Sequence, residues 1–328
     1  MLVSIPRWIA RLPLLVAACT APAILLEAQP GAPLLLSQLT WFDRTGRALG
    51  TIGTLADHGN IELSPDGRTA AAAVNDRELG THDIWMYPTS GGTRTRFTSD
   101  STDENWLIFG PDSARVIFNS FGPGRLDLFQ APASNSAGRR VLLDDAVAKW
   151  PVSWSPDGQH LLYVTSTPDT GNDIWVLPLT GDRRPFPFLN GPESENWAAF
   201  SPDGRWVVFS STATGRSEVY VTGFPDGGGF GQISETGGSQ ARWRRNGEIV
   251  YLAPDRRLMA AKMRVDGNEI ELLGVEELFA ITFPYGSYHA FDVTADGQRI
   301  LVNTTIVSPD SPTLTVSNEV PATASRVP

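Results

Sequence analysis

Cysteine and lysine are nearly missing from these 328 residues. Cys19 is the sole cysteine, so no intramolecular disulfide can form and the fold has to hold through its core. Lysine occurs only at Lys149 and Lys262, which leaves arginine to carry nearly all the positive charge. A net charge of −10 lacks the basic excess that tracking a phosphate backbone requires, which excludes nucleic acid as a partner. Four histidines are present, His58, His82, His160 and His289, and none lies three or four residues from another His or from Cys19. A zinc cluster therefore has no local support, and neither metal nor cofactor is expected. The chain also lacks the Gly-x-Ser-x-Gly elbow of a serine hydrolase. Within 35–305 no stretch carries a convincing helical period, which argues against an α/β chain.

What is present begins with an export-type segment. Arg7 and Arg11 precede an uncharged stretch, Leu12 to Leu26, that contains Pro13 and Pro22. A spanning helix needs about 20 apolar residues, so this stretch is too short. A basic start, a short apolar centre and small residues after it read as an export signal over residues 1–30, with cleavage near Ala18 or Ala28. Leu15-Val16-Ala17-Ala18-Cys19 also resembles a bacterial lipobox, in which Cys19 would be lipidated. Three outcomes stay open: a cleaved soluble protein, a lipoprotein, or an uncleaved anchor. Each places the remainder in the periplasm or outside the cell, with membrane contact only through this segment.

The composition of the rest, 41% hydrophobic and 19% charged, is that of a folded chain rather than a disordered one. A four-residue turn recurs through it. Ser64-Pro65-Asp66-Gly67 is followed by Gly110-Pro111-Asp112-Ser113, Ser155-Pro156-Asp157-Gly158 and Ser201-Pro202-Asp203-Gly204. Arg244-Arg245-Asn246-Gly247 and Thr294-Ala295-Asp296-Gly297 are degenerate copies. The steps of 46, 45, 46, 43 and 50 residues fall near the period of propeller blades. Proline presets φ for the turn, the acid follows, and glycine supplies the left-handed position, so each copy joins two antiparallel strands. A third strand opens on an acid, at Asp83, Asp127, Asp173 and Glu218, and a short fourth strand follows. Four strands per unit make a blade.

Six copies predict an all-β, six-bladed propeller of four-stranded antiparallel blades over 35–305. Gln38 to Asp43 and Arg47 to Ile52 read as displaced third and fourth strands. The last copy supplies only the first two strands, so the chain's two ends would share one blade and close the ring. Pro312 to Val316 competes for the third-strand place, and 306–328 otherwise reads as a Pro-rich tail.

The repeat resembles the TolB-type propeller repeat, a relative of the WD-repeat. Leu39 to Gly46, Ser201 to Trp206, Glu218 to Val221 and Gly237 to Trp243 resemble the C-terminal propeller of acidobacterial-type Ser/Thr kinases. In that family the propeller follows a kinase and a membrane helix and serves as an extracytoplasmic sensor. This chain has no phosphate-loop glycine pattern with a following lysine, no His-Arg-Asp loop and no Asp-Phe-Gly, so kinase activity is not implied. The chain reads as a non-catalytic binding propeller, an extracytoplasmic sensor or scaffold, with the truncated remnant of such a kinase as an alternative.

Ligands of propellers are expected at the channel mouth, beside the loops that enter each innermost strand. Stacking those loops gives the candidates Glu104, Asn105 and Trp106; Trp150; Glu195, Asn196 and Trp197; Gln240 and Arg242; Tyr288 and His289. Aromatics beside acids and amides suit a protein, a peptide or a glycan. The tryptophans could equally wedge between blades as core. Glu104 and Glu195, in equivalent places, could serve a glycan hydrolase or lyase, which needs paired carboxylates across a pocket. The turn aspartates read as turn stabilisers rather than calcium ligands, and no catalytic set is assigned.

Overall fold

The computed structural model describes residues 36–306, apart from 77, 123, 169, 230, 268 and 285–288. Cys19, the export-type segment, Tyr288 and the strand proposed at 312–316 lie outside the described residues. The described chain holds 24 strands in six four-stranded antiparallel sheets and no helix. These are the six blades of the predicted propeller.

Blades are numbered here by their turns. Blades 1 to 5 each run outward in chain order from an innermost strand: His58–Leu63, Leu107–Phe109, Lys149–Trp154, Glu195–Phe200 and Ser239–Trp243. Blade 6 is composite. Phe291–Val293 and Arg299–Thr305 are its inner strands, and Ser37–Asp43 and Ala48–Ala56 its outer ones. Ser37–Asp43 pairs with Arg299–Thr305 without a slip, from Ser37 opposite Thr305 to Asp43 opposite Arg299. The ring therefore closes by joining the two ends of the described chain, as the displaced strands predicted.

Four of the six turns share one chemistry. Ser64 donates to Asp66 Oδ1 at 2.6 Å, the same oxygen accepts the Arg68 amide at 3.0 Å, and Ser64 Oγ accepts the Thr69 amide. The arrangement recurs at Ser155 with Asp157, Ser201 with Asp203 and Thr294 with Asp296. In each of these four turns Oδ1 of the acid is taken up by its own turn.

Adjacent blades bury apolar faces between them. Leu39 and Leu301 of blade 6 pack on Ile61, Leu63 and Tyr87 of blade 1, and Leu39, Leu301, Ile61 and Tyr87 are at most 1% exposed. Burying such a side chain contributes roughly 1.5–3 kcal/mol. These seams do the work that disulfides do in cysteine-rich folds.

Candidate functional site

The innermost strands bring their loop ends to one mouth of the channel and their turns to the other. Four of them carry an irregularity in register near the loop end, between His58 and Ile61, Pro151 and Ser153, Asn196 and Ala199, and Ser239 and Arg242. Such bulges break the two-residue alternation and re-aim side chains. Trp197 and Gln240, each four residues before its turn, take left-handed φ values of +50° and +54°. That conformation costs a non-glycine residue about 1 kcal/mol or more and is tolerated where surroundings enforce it.

At the loop-side mouth a cavity of about 280 Å³ opens, lined by Trp106, Trp150, Trp197, Asn196, Asn172, Ser166, Val152 and Val164. Four of the candidates read from sequence thus meet: Trp106, Trp150, Asn196 and Trp197. Asn172 and Ser166, from the third and second strands of blade 3, were not anticipated. Among the described residues no charged side chain lines the cavity. Trp106 is buried, with its ring edge-on to His289 at 4.7 Å between centroids.

Glu104 and Glu195 do not reach this cavity. They are 0% and 5% exposed, and each turns toward a serine of its own blade, Ser120 at 2.6 Å and Ser211 at 3.2 Å. Thr102 also donates to Glu104. Burial pushes both carboxyls up to about 7, helped by Asp100 at Glu104 and by Asp173 and Glu193 at Glu195. Their repeat position, six residues before the turn, is a buried polar place elsewhere too. His58 fills it in blade 1, bonded to Ser37 and Tyr87, and burial holds its imidazole down to about 4. Lys149 fills it in blade 3, fully buried, with Nζ donating to the carbonyls of Leu126, Asp145 and Val147.

Of the remaining candidates, Asn105, Gln240, Arg242 and His289 gather inside the channel, toward the seam of blades 5, 6 and 1. Arg242 Nη2 donates to His289 Nδ1 at 2.7 Å, and Gln240 Oε1 accepts the Ala290 amide. Asn60 accepts the His289 amide and donates to the Asn105 carbonyl. Burial and the Arg242 charge hold His289 well below its usual range, so it is neutral. Glu62, Asp292 and Arg244 join this cluster and were missed in the sequence. The signal was there: Glu62, Arg242 and Asp292 all stand two residues before their turns, where blades 2, 3 and 4 carry Ile108, Ser153 and Ala199.

The acids that open the third strands act structurally. Asp83 pairs with Arg96, Asp127 with Arg125 and Glu218 with Arg216, while Asp173 accepts from Thr170. Among the described residues no group of three or more His, Cys, Asp or Glu could hold a metal ion.

No family model matches the chain. Among solved structures, the putative TolB from Agrobacterium tumefaciens superposes with a TM-score of 0.65 at 17% identity, over 83% of this chain and 99% of that one. The oligogalacturonate lyase from Vibrio parahaemolyticus gives 0.52 at 13% identity, over 80% and 77%. By sequence, the uncharacterized peptidase YuxL of Bacillus subtilis is 25% identical over an alignment of 194 residues that covers 47% of this chain and 29% of that protein. This chain therefore spans under a third of that relative. The fold is that of TolB-type propellers.

Proposed function

We propose that the chain is an extracytoplasmic binding propeller that takes its ligand or protein partner at the loop-side cavity. One observation carries this reading: three indoles, two amides and a hydroxyl converge on about 280 Å³ of space with no charged side chain among them. Indole faces offer stacking area and the amides fix orientation, which suits a neutral ring or side chain, such as a sugar or the apolar tip of a partner protein. The export-type leader and the TolB-type fold support a periplasmic or secreted setting, and lipidation at Cys19 would add an anchor. Kinship with kinase-linked sensor propellers would make the module a sensor, which kinase motifs in frame upstream of the gene's start would support.

A panel of peptides and glycans, read by tryptophan fluorescence and calorimetry, tests the site. For any binder found, Trp150→Ala and Asn196→Ala should each weaken binding tenfold or more, while Glu104→Gln with Glu195→Gln leaves it within twofold. Binding untouched by both cavity substitutions would sink the proposal.

A hydrolase or lyase working through Glu104 and Glu195 draws support from their raised pKa values, which suit proton transfer near neutral pH. Their burial against Ser120 and Ser211 weighs against it, because a substrate at the mouth would not touch them. Turnover in a glycan panel, abolished by the same double substitution, would favour this second reading.

A further inference from the structure

The opposite, turn-side mouth holds a second cavity, of about 200 Å³, whose lining includes Glu62, Arg242, Arg244 and Arg245 beside Ile108, Val152, Ala199 and Phe200. Its charges do not balance. Asp292 is fully engaged: its oxygens accept the Leu63 and Val293 amides at 2.7 and 2.8 Å, and it pairs with Arg244. Arg242 Nε stands 3.4 Å from the same carboxylate without forming a hydrogen bond. Arg242 Nη2 is already given to neutral His289. Glu62 Oε2 lies 3.6 Å from Arg242 and accepts no hydrogen bond, and burial holds that carboxyl above the usual range despite both arginines. It is a reluctant counter-ion. Arg244 Nε donates to nothing, and Arg245 at the rim has no ion-pair partner among the described residues. The buried Arg242 and the half-buried Arg244 thus share one carboxylate that is fully engaged, Asp292, and a second, Glu62, that comes no nearer than 3.6 Å to Arg242, in a protein whose net charge is −10.

A buried cation without a full partner is costly, and an arriving anion removes that cost. The opposite wall, Ile108, Val152, Ala199 and Phe200, is apolar. We propose that the turn-side mouth binds an organic carboxylate, its head on Arg244 and Arg242 and its apolar body against that wall. Free acids and peptide C-termini share this chemistry. The inference stands apart from the loop-side reading and does not rest on it.

Calorimetry on the full chain at pH 7 with 3-phenylpropanoate, 3-phenylpropanamide and the tripeptide Ala-Ala-Phe as acid and as amide tests it. The expected result is that one or both acids bind and the matching amides bind at least tenfold more weakly. Binding confined to the tripeptide acid assigns a chain terminus, and binding of both assigns a small carboxylate as well. Arg244→Gln should weaken the acid tenfold or more, Glu62→Gln should hold or tighten it, and Trp150→Ala should leave it within twofold. No acid binding at millimolar concentration, or acid and amide binding alike, overturns the proposal without reference to any variant.

Discussion

Glu104 and Glu195 show what one repeat position can store. Each carboxyl is buried, has one oxygen bonded to a serine of its own blade, and leaves Oε2 with no hydrogen bond. Their pKa values of about 7 lie above the ordinary 4.5, so the folded state binds more protons than the unfolded chain between those limits. Stability is then highest below pH 4.5 as far as these groups go, and it falls as pH rises through 7. The shift alone corresponds to about 3 kcal/mol per site, and solvent screening brings the loss to the order of 2 kcal/mol. Glutamine at both positions should remove it. Thermal melts should show the double variant several degrees above the parent at pH 8 and level with it near pH 4.5. Parallel curves across that range would refute the assignment. These roles were not legible from residue type, because acids in a loop beside tryptophans read as a wet mouth. At Glu195 the bulged strand start decides otherwise, together with the left-handed backbone at Trp197, and neither leaves a mark on composition.

At the scale of the element, the turn is the most legible feature because its causes are local. Asp203 accepts Ser201 Oγ and the Arg205 amide within five residues of chain, and Gly204 supplies φ of +73°. Burial would raise its carboxyl, but the Ser201 and Arg205 bonds outweigh that and hold it below the usual range. Asp203→Ala should cost about 1 kcal/mol in urea unfolding and Asp203→Asn much less. Because the turn's own hydrogen bonds account for the acid, EDTA should leave the melting temperature unmoved, and a fall of several degrees would reinstate calcium. The same locality explains which site residues could be read. Trp106, Trp150, Asn196 and Trp197 follow from counting back from a turn. Glu62 and Asp292 could be placed by the same count, but their meeting with Arg242 and Arg244 needs blades 5, 6 and 1 to come together, across 180 residues of chain from Glu62 to Arg242. The buried Lys149 likewise gains meaning only once the Leu126, Asp145 and Val147 carbonyls surround it.

For the molecule as a whole, closure decides stability. Ser37–Asp43 covers the edge of Arg299–Thr305, and Leu39 and Trp41 complete the core between blades 6 and 1. A chain lacking residues 1–57 exposes that edge and that core. It should lose its cooperative melt or associate, as size-exclusion and calorimetry would show, and a peptide of residues 36–57 should restore the monomer. A monomeric, cooperatively melting deletion would mean that closure contributes little. The shared blade also sets a timetable. Ribosomes release Ser37 some 268 residues before its partner Thr305, so the first strands made are among the last to be paired. Until then the nascent chain is an open arc with a bare sheet edge, and contacts this distant in sequence form slowly. Were the export-type segment to act as proposed above, an arc that cannot close before Thr305 emerges would stay open long enough to be threaded through a translocation pore, so the joint that makes the finished ring durable would also keep the newborn chain transportable.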